Sequence, residues 1–254
     1  MNEEIINQLK ELEKKENIKI LYAAESGSRA WGFATPDSDF DVRFIYIRPT
    51  EFYLKLEKTR DVIELPVNDL LDINGWDFQK TLRLLYSSNP TLFEWSNSPI
   101  VYMTTHFFQG FKEIINDYFK AKSGLYHYLN MAEGNYREYL KGDFVKAKKY
   151  FYVLRPILAC KWILENRCPP PMLFTDLVDS VLEERIKPFI SNLLHIKMNT
   201  PEIGEIPKVN EINEYIEENL RSLKVEIDCL PKEIPKGWDE LNFLFLSAVN
   251  KELF

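Results

Sequence analysis

Two aspartates two residues apart, Asp39 and Asp41, follow a Gly27-Ser28 pair by about ten residues, and this spacing is where the chain can do chemistry. The run from 27 to 43 reads GSRAWGFATPDSDFDVR; an apolar segment, IKILYAA at 18–24, precedes it, and RFIYI overlaps and extends its end. Side chains alternate across a strand, so residues i and i+2 share a face. Asp39 and Asp41 therefore present two carboxylates on one face at the mouth of a sheet. Like charge concentrated there calls for a hard divalent cation. Mg²⁺ takes oxygen ligands, usually one or two carboxylates plus substrate phosphates. The Gly-Ser turn offers backbone N–H groups and a hydroxyl to phosphate, with a helix N-terminus expected just beyond. Cradle, acidic pair and metal together describe a nucleoside triphosphate site. Neither half suffices alone, because a bare DxD is usually a solvated turn.

Nucleotidyl transfer requires a hydroxyl or similar nucleophile to attack the α-phosphorus of an NTP and displace pyrophosphate. The protein's part is positioning and charge stabilisation. Two ions, Mg²⁺ or Mn²⁺, can bind the attacking and leaving oxygens together. Two aspartates that bridge such ions call for a third carboxylate from an adjacent strand. Asp72 in LLDIN is the first choice, since it sits between apolar neighbours where an unpaired carboxylate is costly without a cation. Asp77 in GWDFQK precedes a helical pattern and competes as an N-cap; Glu64 in VIEL is the remaining alternative. Ser28 is placed to bond a β- or γ-phosphate, with Gly27 allowing close backbone approach. Arg29 reaches either phosphate or an acid such as Glu25. Arg43 shares the face of Asp39 and Asp41 and serves either substrate or a salt bridge within the acidic cluster. Farther along, Lys148, Tyr152 and Arg155 are spaced i, i+4, i+7 and share one helix face. That face offers an ammonium, a ring and a guanidinium, which suit a triphosphate with a stacked base or sugar. Lys149 is its neighbour and alternate, and a solvated basic face with Tyr152 packed is the bland alternative.

The segments GSRAWGF, SDFDVRFIYIRP, LDINGWDFQKTLRLL, NPTLFEW, SPIVY and KKYFYVLRP, spread from about Ala24 to Pro156, together resemble one protein group. These are the bacterial and phage nucleotidyltransferases of the RNA repair pathway branch of the DNA polymerase beta superfamily, whose signature is a GS followed by DhD, h being apolar. The resemblance implies a polymerase beta-like palm, with Asp39, Asp41 and Asp72 as catalytic metal ligands. It also implies a helix of the second domain that supplies residues to the triphosphate, and an RNA end as acceptor. Protein AMPylation, small-molecule nucleotidylation and a nucleotide-binding module without catalysis are the rival readings.

These residues must be positioned by the rest of the chain. At 254 residues and 45% hydrophobic, it can bury one large core or two small ones. No apolar run approaches the ~20 residues of a membrane span. MNEEIINQLKELEKKEN reads as an amphipathic helix rather than a signal peptide, so no membrane partner and a cytoplasmic location are expected. Three unpatterned cysteines and three histidines without ligand spacing argue against a disulfide scaffold and a zinc site. A net charge of −7 argues against a surface coated for nonspecific nucleic-acid binding. From Phe119 to Arg167, however, ten basic residues face only four acidic ones, a local face suited to polyphosphate or RNA.

Periodicity predicts a helix at 4–15, strands at 18–24 and 39–47, a short helix at 50–58 and strands at 61–65 and 70–74 with a turn-rich spacer at 66–69. A helix follows in WDFQKTLRLLYSS, and another starts at Pro90. Helices are then expected at 105–120, 122–140, 143–165, 181–197, 209–223 and 238–252, interrupted by CPPP at 168–171. Trp31, Trp76 and Trp95, set among apolar residues, read as core. The expected class is α+β: a small mixed-sheet nucleotidyltransferase domain over 1–103, then an all-helical domain over 104–254 that closes the active-site cleft.

Overall fold

Helix α1 (Asn2–Glu16) buries Ile5, Leu9 and Leu12, a stripe at i, i+4, i+7, and ends on Asn17 in the left-handed conformation. The chain then enters the sheet through β1 (Lys19–Glu25), turns in the single-turn helix α2 (Gly27–Ala30), and returns as β2 (Phe40–Ile47). Helix α3 (Thr50–Tyr53), β3 (Val62–Glu64), β4 (Leu71–Asp77), α4 (Phe78–Tyr86), α5 (Pro90–Ser96), β5 (Val101–Thr104) and α6 (His106–Ile115) follow. The structure is a computed structural model and describes residues 1–66, 70–199, 205–234 and 236–250. Residues 67–69 of the expected spacer, and 251–252 of the last expected helix, lie outside the described residues.

The five strands lie in the order β3-β4-β2-β1-β5. The β2–β4 pair is parallel and the others are antiparallel, so the sheet is mixed as expected. Apolar side chains of β1, β2 and β4 (Ile20, Ala23, Val42, Phe44, Ile73) form one core cluster with Ile5, Leu9 and Leu12 of α1. Two caps follow sequence rules: Asn89 accepts from Thr91 N with Pro90 in the first turn of α5, and Thr105 accepts from Phe108 N at the start of α6. Strand β5 was not foreseen. It is short, with no buried residue of its own, and it forms because β1 offers it an open edge.

The second unit is helical: α7 (Ala121–Tyr139), α8 (Ala147–Asn166), α9 (Phe174–Val181), α10 (Lys187–Asn199) and α11 (Asn210–Asp228). It also carries a two-strand ladder, β6 (Phe144–Lys146) with β7 (Glu205–Pro207), which delays the start of α8 from the expected 143 to 147. The helix expected over 181–197 starts later, as α10 at Lys187, and α9 before it was not foreseen. The chain finishes with α12 (Asp239–Asn250), which belongs with the sheet.

By internal packing, the first unit comprises Met1–Ala30, Ser38–Tyr118 and the chain from Ile234 onward. The second comprises Trp31–Asp37 and Phe119–Glu233. This division differs from a cut at 103/104. Phe108 and Phe111 of α6 join Tyr22 of β1 and Phe78 of α4 in an aromatic cluster, and Phe245 of α12 packs on Tyr53 and Phe78.

Pro156 lies inside α8 and has no N–H to give the carbonyl of Tyr152 one turn earlier. Asn135 of α7 replaces it, donating from Nδ2 to Tyr152 O at 2.9 Å. Asn135→Ala is therefore expected to cost about 1–2 kcal/mol, the penalty of a stranded carbonyl. In a Pro156→Ala background, where the helix supplies its own donor, the cost should shrink; a denaturant double-mutant cycle measures the difference.

Candidate active site

The Gly27-Ser28 turn and the acidic pair meet at the end of the β1–β2 ladder. Gly27 has φ +59°, and a Cβ built there would fall 2.0 Å from Asp41 Oδ2. The Asp41 carboxylate thus rests directly on the glycine backbone, which only a residue without a side chain permits. Arg29 braces the same corner. Its Nη2 donates to Ser38 O at 2.5 Å and its Nε to Asp39 O at 3.0 Å, and its guanidinium lies 3.7 Å from the centre of the Phe40 ring. It therefore ties α2 to the start of β2 through backbone carbonyls rather than pairing with Glu25.

Asp72 comes alongside through sheet pairing. Strands β2 and β4 run parallel with Asp41 in register with Asp72, so both carboxylates emerge on one side. Arg43, two residues on from Asp41, bridges them: Nη2 donates to Asp41 Oδ1 at 3.0 Å and to Asp72 Oδ2 at 2.7 Å. Burial lifts the Asp41 carboxyl above the ordinary range; Arg43 opposes the shift, and Asp39 and Asp72 add to it. Asp39 itself is exposed and lies one residue before β2.

A hard divalent cation fits this donor set. The donors are carboxylate oxygens, they repel one another, and the space that a Cβ on Gly27 would fill holds Asp41 Oδ2. Among the described residues no three carboxylates, histidines or cysteines are gathered as a ready metal cage; Asp41 and Asp72 are held on Arg43 instead.

Residues 1–247 match the model of the RNA repair pathway DNA polymerase beta family. The chain belongs to this family. A Bacillus subtilis (strain 168) relative, described as uncharacterized protein YcgL, is 45% identical over 255 residues, which is 99% of this chain and 97% of that protein. A solved nucleotidyltransferase-like protein from Exiguobacterium sibiricum 255-15 covers 88% of this chain and 74% of its own, at 12% identity and a TM-score of 0.33. Family membership places the chain in the polymerase beta superfamily of nucleotidyltransferases. Among the described residues no helix is long and apolar enough to cross a membrane.

Within this family member, the alternatives to Asp72 are engaged elsewhere. Glu64, on β3, pairs with Arg60 and accepts from Asn74 Nδ2 at 3.2 Å. Asp77 stands at the other end of β4 from Asp72 and caps α4, accepting from Gln79 N at 2.8 Å and from the Tyr53 hydroxyl at 2.9 Å. Burial pushes its carboxyl up to about 6. A carboxyl raised in the folded state stabilises the fold most below its unfolded value, near 3.8, and that contribution is lost as pH rises through 6. Asp77→Asn keeps an acceptor for Gln79 and removes the charge. Between pH 4 and 6 the wild type should lose up to about 3 kcal/mol relative to this variant, read from denaturation midpoints.

In the second unit, the α8 face separates. Lys148 and Tyr152 are half-buried, and the Tyr152 ring meets Trp31 edge-on. Arg155 is buried, its guanidinium 4.8 Å from the Trp31 ring centre with Nη2 directed at Met172 Sδ. Trp76 and Trp95 pack on each other; Trp95 is buried, as read from sequence, and Trp76 is half-buried.

Sequence reasoning undervalued Glu25. It is fully buried, accepts from Asp41 N at 2.7 Å through Oε1, and accepts from the Tyr102 hydroxyl through Oε2. It thus fixes the backbone at Asp41 from behind, while burial raises its own carboxyl. The available signal was an acid closing an otherwise apolar strand, KILYAAE, where an unsatisfied carboxylate is costly.

Proposed function

We propose that this protein is a divalent-metal-dependent nucleotidyltransferase that moves an NMP from an NTP to an acceptor, an RNA end. The observation that carries the reading is the register of Asp41 with Asp72 on parallel strands, with the Asp41 carboxylate seated against Gly27. Asp39, Asp41 and Asp72 would hold Mg²⁺ or Mn²⁺, two ions in the full site. When bound, the metal offsets charge on the phosphates and favours the deprotonated form of the attacking hydroxyl.

The chain's own groups perform the remaining work. Gly27 seats the Asp41 carboxylate, and the Ser28 hydroxyl with the backbone N–H groups of the turn would donate to a β- or γ-phosphate. Arg29 and Glu25 fix the backbone on which Asp39 and Asp41 stand. Arg43 holds Asp41 beside Asp72. Lys148 and Tyr152 are the candidate contacts to triphosphate and to base or sugar. Arg155 supports Trp31, which in turn meets Tyr152.

Support for RNA as acceptor comes from the family. The test incubates the protein with α-labelled NTPs, Mg²⁺ and an RNA pool. Label on RNA with stoichiometric pyrophosphate release is expected. Label on protein would redirect the reading to AMPylation, and the absence of pyrophosphate release with every NTP and acceptor would overturn it.

A further inference from the structure

Arg43 makes four hydrogen bonds through two nitrogens, and they divide by kind. Nη1 donates to two backbone carbonyls, Asp72 O at 3.0 Å and Val42 O at 3.1 Å. Nη2 donates to two carboxylates, Asp41 Oδ1 and Asp72 Oδ2. The carbonyls anchor one edge of the guanidinium to the sheet, and the other edge clamps the acids. Such a fork is available to arginine and not to lysine.

We propose that Arg43 is the resident counter-cation of Asp41 and Asp72, holding the carboxylates together in the metal-free protein and competing with the metal for Asp41 Oδ1 and Asp72 Oδ2. The inference rests on the metal-dependent reading above and concerns how that site is loaded. Asp41 has one carboxylate oxygen against Gly27 and the other on Arg43. A cation that takes Oδ1 therefore competes with Nη2 for the electron density of the same oxygen and meets the guanidinium charge beside it. The carbonyl bonds of Nη1 do not depend on the carboxylates, so the guanidinium has no need to leave the sheet. It yields one edge while its charge stays near the incoming ion. Arg43 thus lends stability to the empty site and opposes its filling.

The test uses the full chain and Mn²⁺ alone, with free ion counted by electron paramagnetic resonance and melting followed in chelator and in Mn²⁺. Arg43→Gln is expected to bind Mn²⁺ about tenfold or more tightly than wild type, the direction set by removing a positive charge next to a divalent ion. Its melting temperature should fall in chelator and rise more on adding Mn²⁺. Arg43→Lys, which keeps the charge and loses the fork, should fall between the two. Equal or weaker Mn²⁺ binding by a folded Arg43→Gln protein overturns the proposal. If that variant does not fold, Arg43→Lys decides, and binding no tighter than wild type overturns it. Mn²⁺ binding unchanged in Asp41→Asn/Asp72→Asn would overturn the metal assignment itself, and this inference with it.

Discussion

Asp41→Asn should reduce pyrophosphate release by roughly 10³-fold or more, on the scale of losing a charge aimed at the transition state. The substitution is nearly isosteric. The amide fits against Gly27 as the carboxylate does, and its oxygen still accepts from Arg43. What disappears is one negative charge among three acids whose mutual repulsion, with burial, already raises the Asp41 carboxyl. Metal-free stability should therefore hold or rise slightly while transfer collapses, an opposition that a folding defect cannot produce. Parallel thermal melts and single-turnover assays separate the two. Transfer by Asp41→Asn at the wild-type rate would remove Asp41 from the chemistry.

Gly27→Ala is the second large effect, and it acts through space rather than charge. The new methyl would sit 2.0 Å from Asp41 Oδ2 and 2.9 Å from its Cγ, at a backbone φ of +59°. A left-handed alanine costs about 1–2 kcal/mol by itself. The carboxylate must also swing away from its seat, taking Oδ1 off Arg43. Activity is expected to fall about 100-fold, on the scale of a misplaced reacting group, with a stability loss of about 1–3 kcal/mol. Gly110→Ala supplies the contrast. Gly110 lies in helix α6 with nothing within 4 Å of a built Cβ, so alanine there should stabilise by about 0.5–1 kcal/mol and leave kinetics alone. Were Gly27→Ala kinetically equal to Gly110→Ala, the close approach would have no role in catalysis.

How much of this was legible in the chain depends on sequence distance. The α1 stripe, β1, β2, the left-handed turn at Gly27 and the N-caps at Asp77, Asn89 and Thr105 arise from residues one to four positions apart. Asp72 was legible as an acid among apolar neighbours, yet its place beside Asp41, which Glu64 and Asp77 do not share, needed the parallel register of β2 with β4. The Lys148, Tyr152 and Arg155 face was correctly helical, but periodicity could not show that Arg155 lies buried against Trp31, more than a hundred residues away in sequence. The return of α12 to the sheet unit likewise leaves no local trace.

By itself, then, the sequence determined the family, the Gly27-Ser28 turn, the acidic pair Asp39 and Asp41 and most of the elements that carry them. Those properties follow from side-chain type, alternation and turn geometry, all short-range. Only the tertiary structure decided that Asp72 joins Asp41, that Arg43 stands between them and that Glu25 with Tyr102 fixes the strand behind. Each of these depends on strands and side chains far apart in sequence, where pairing register, burial and shared charge act together and no local pattern records the outcome.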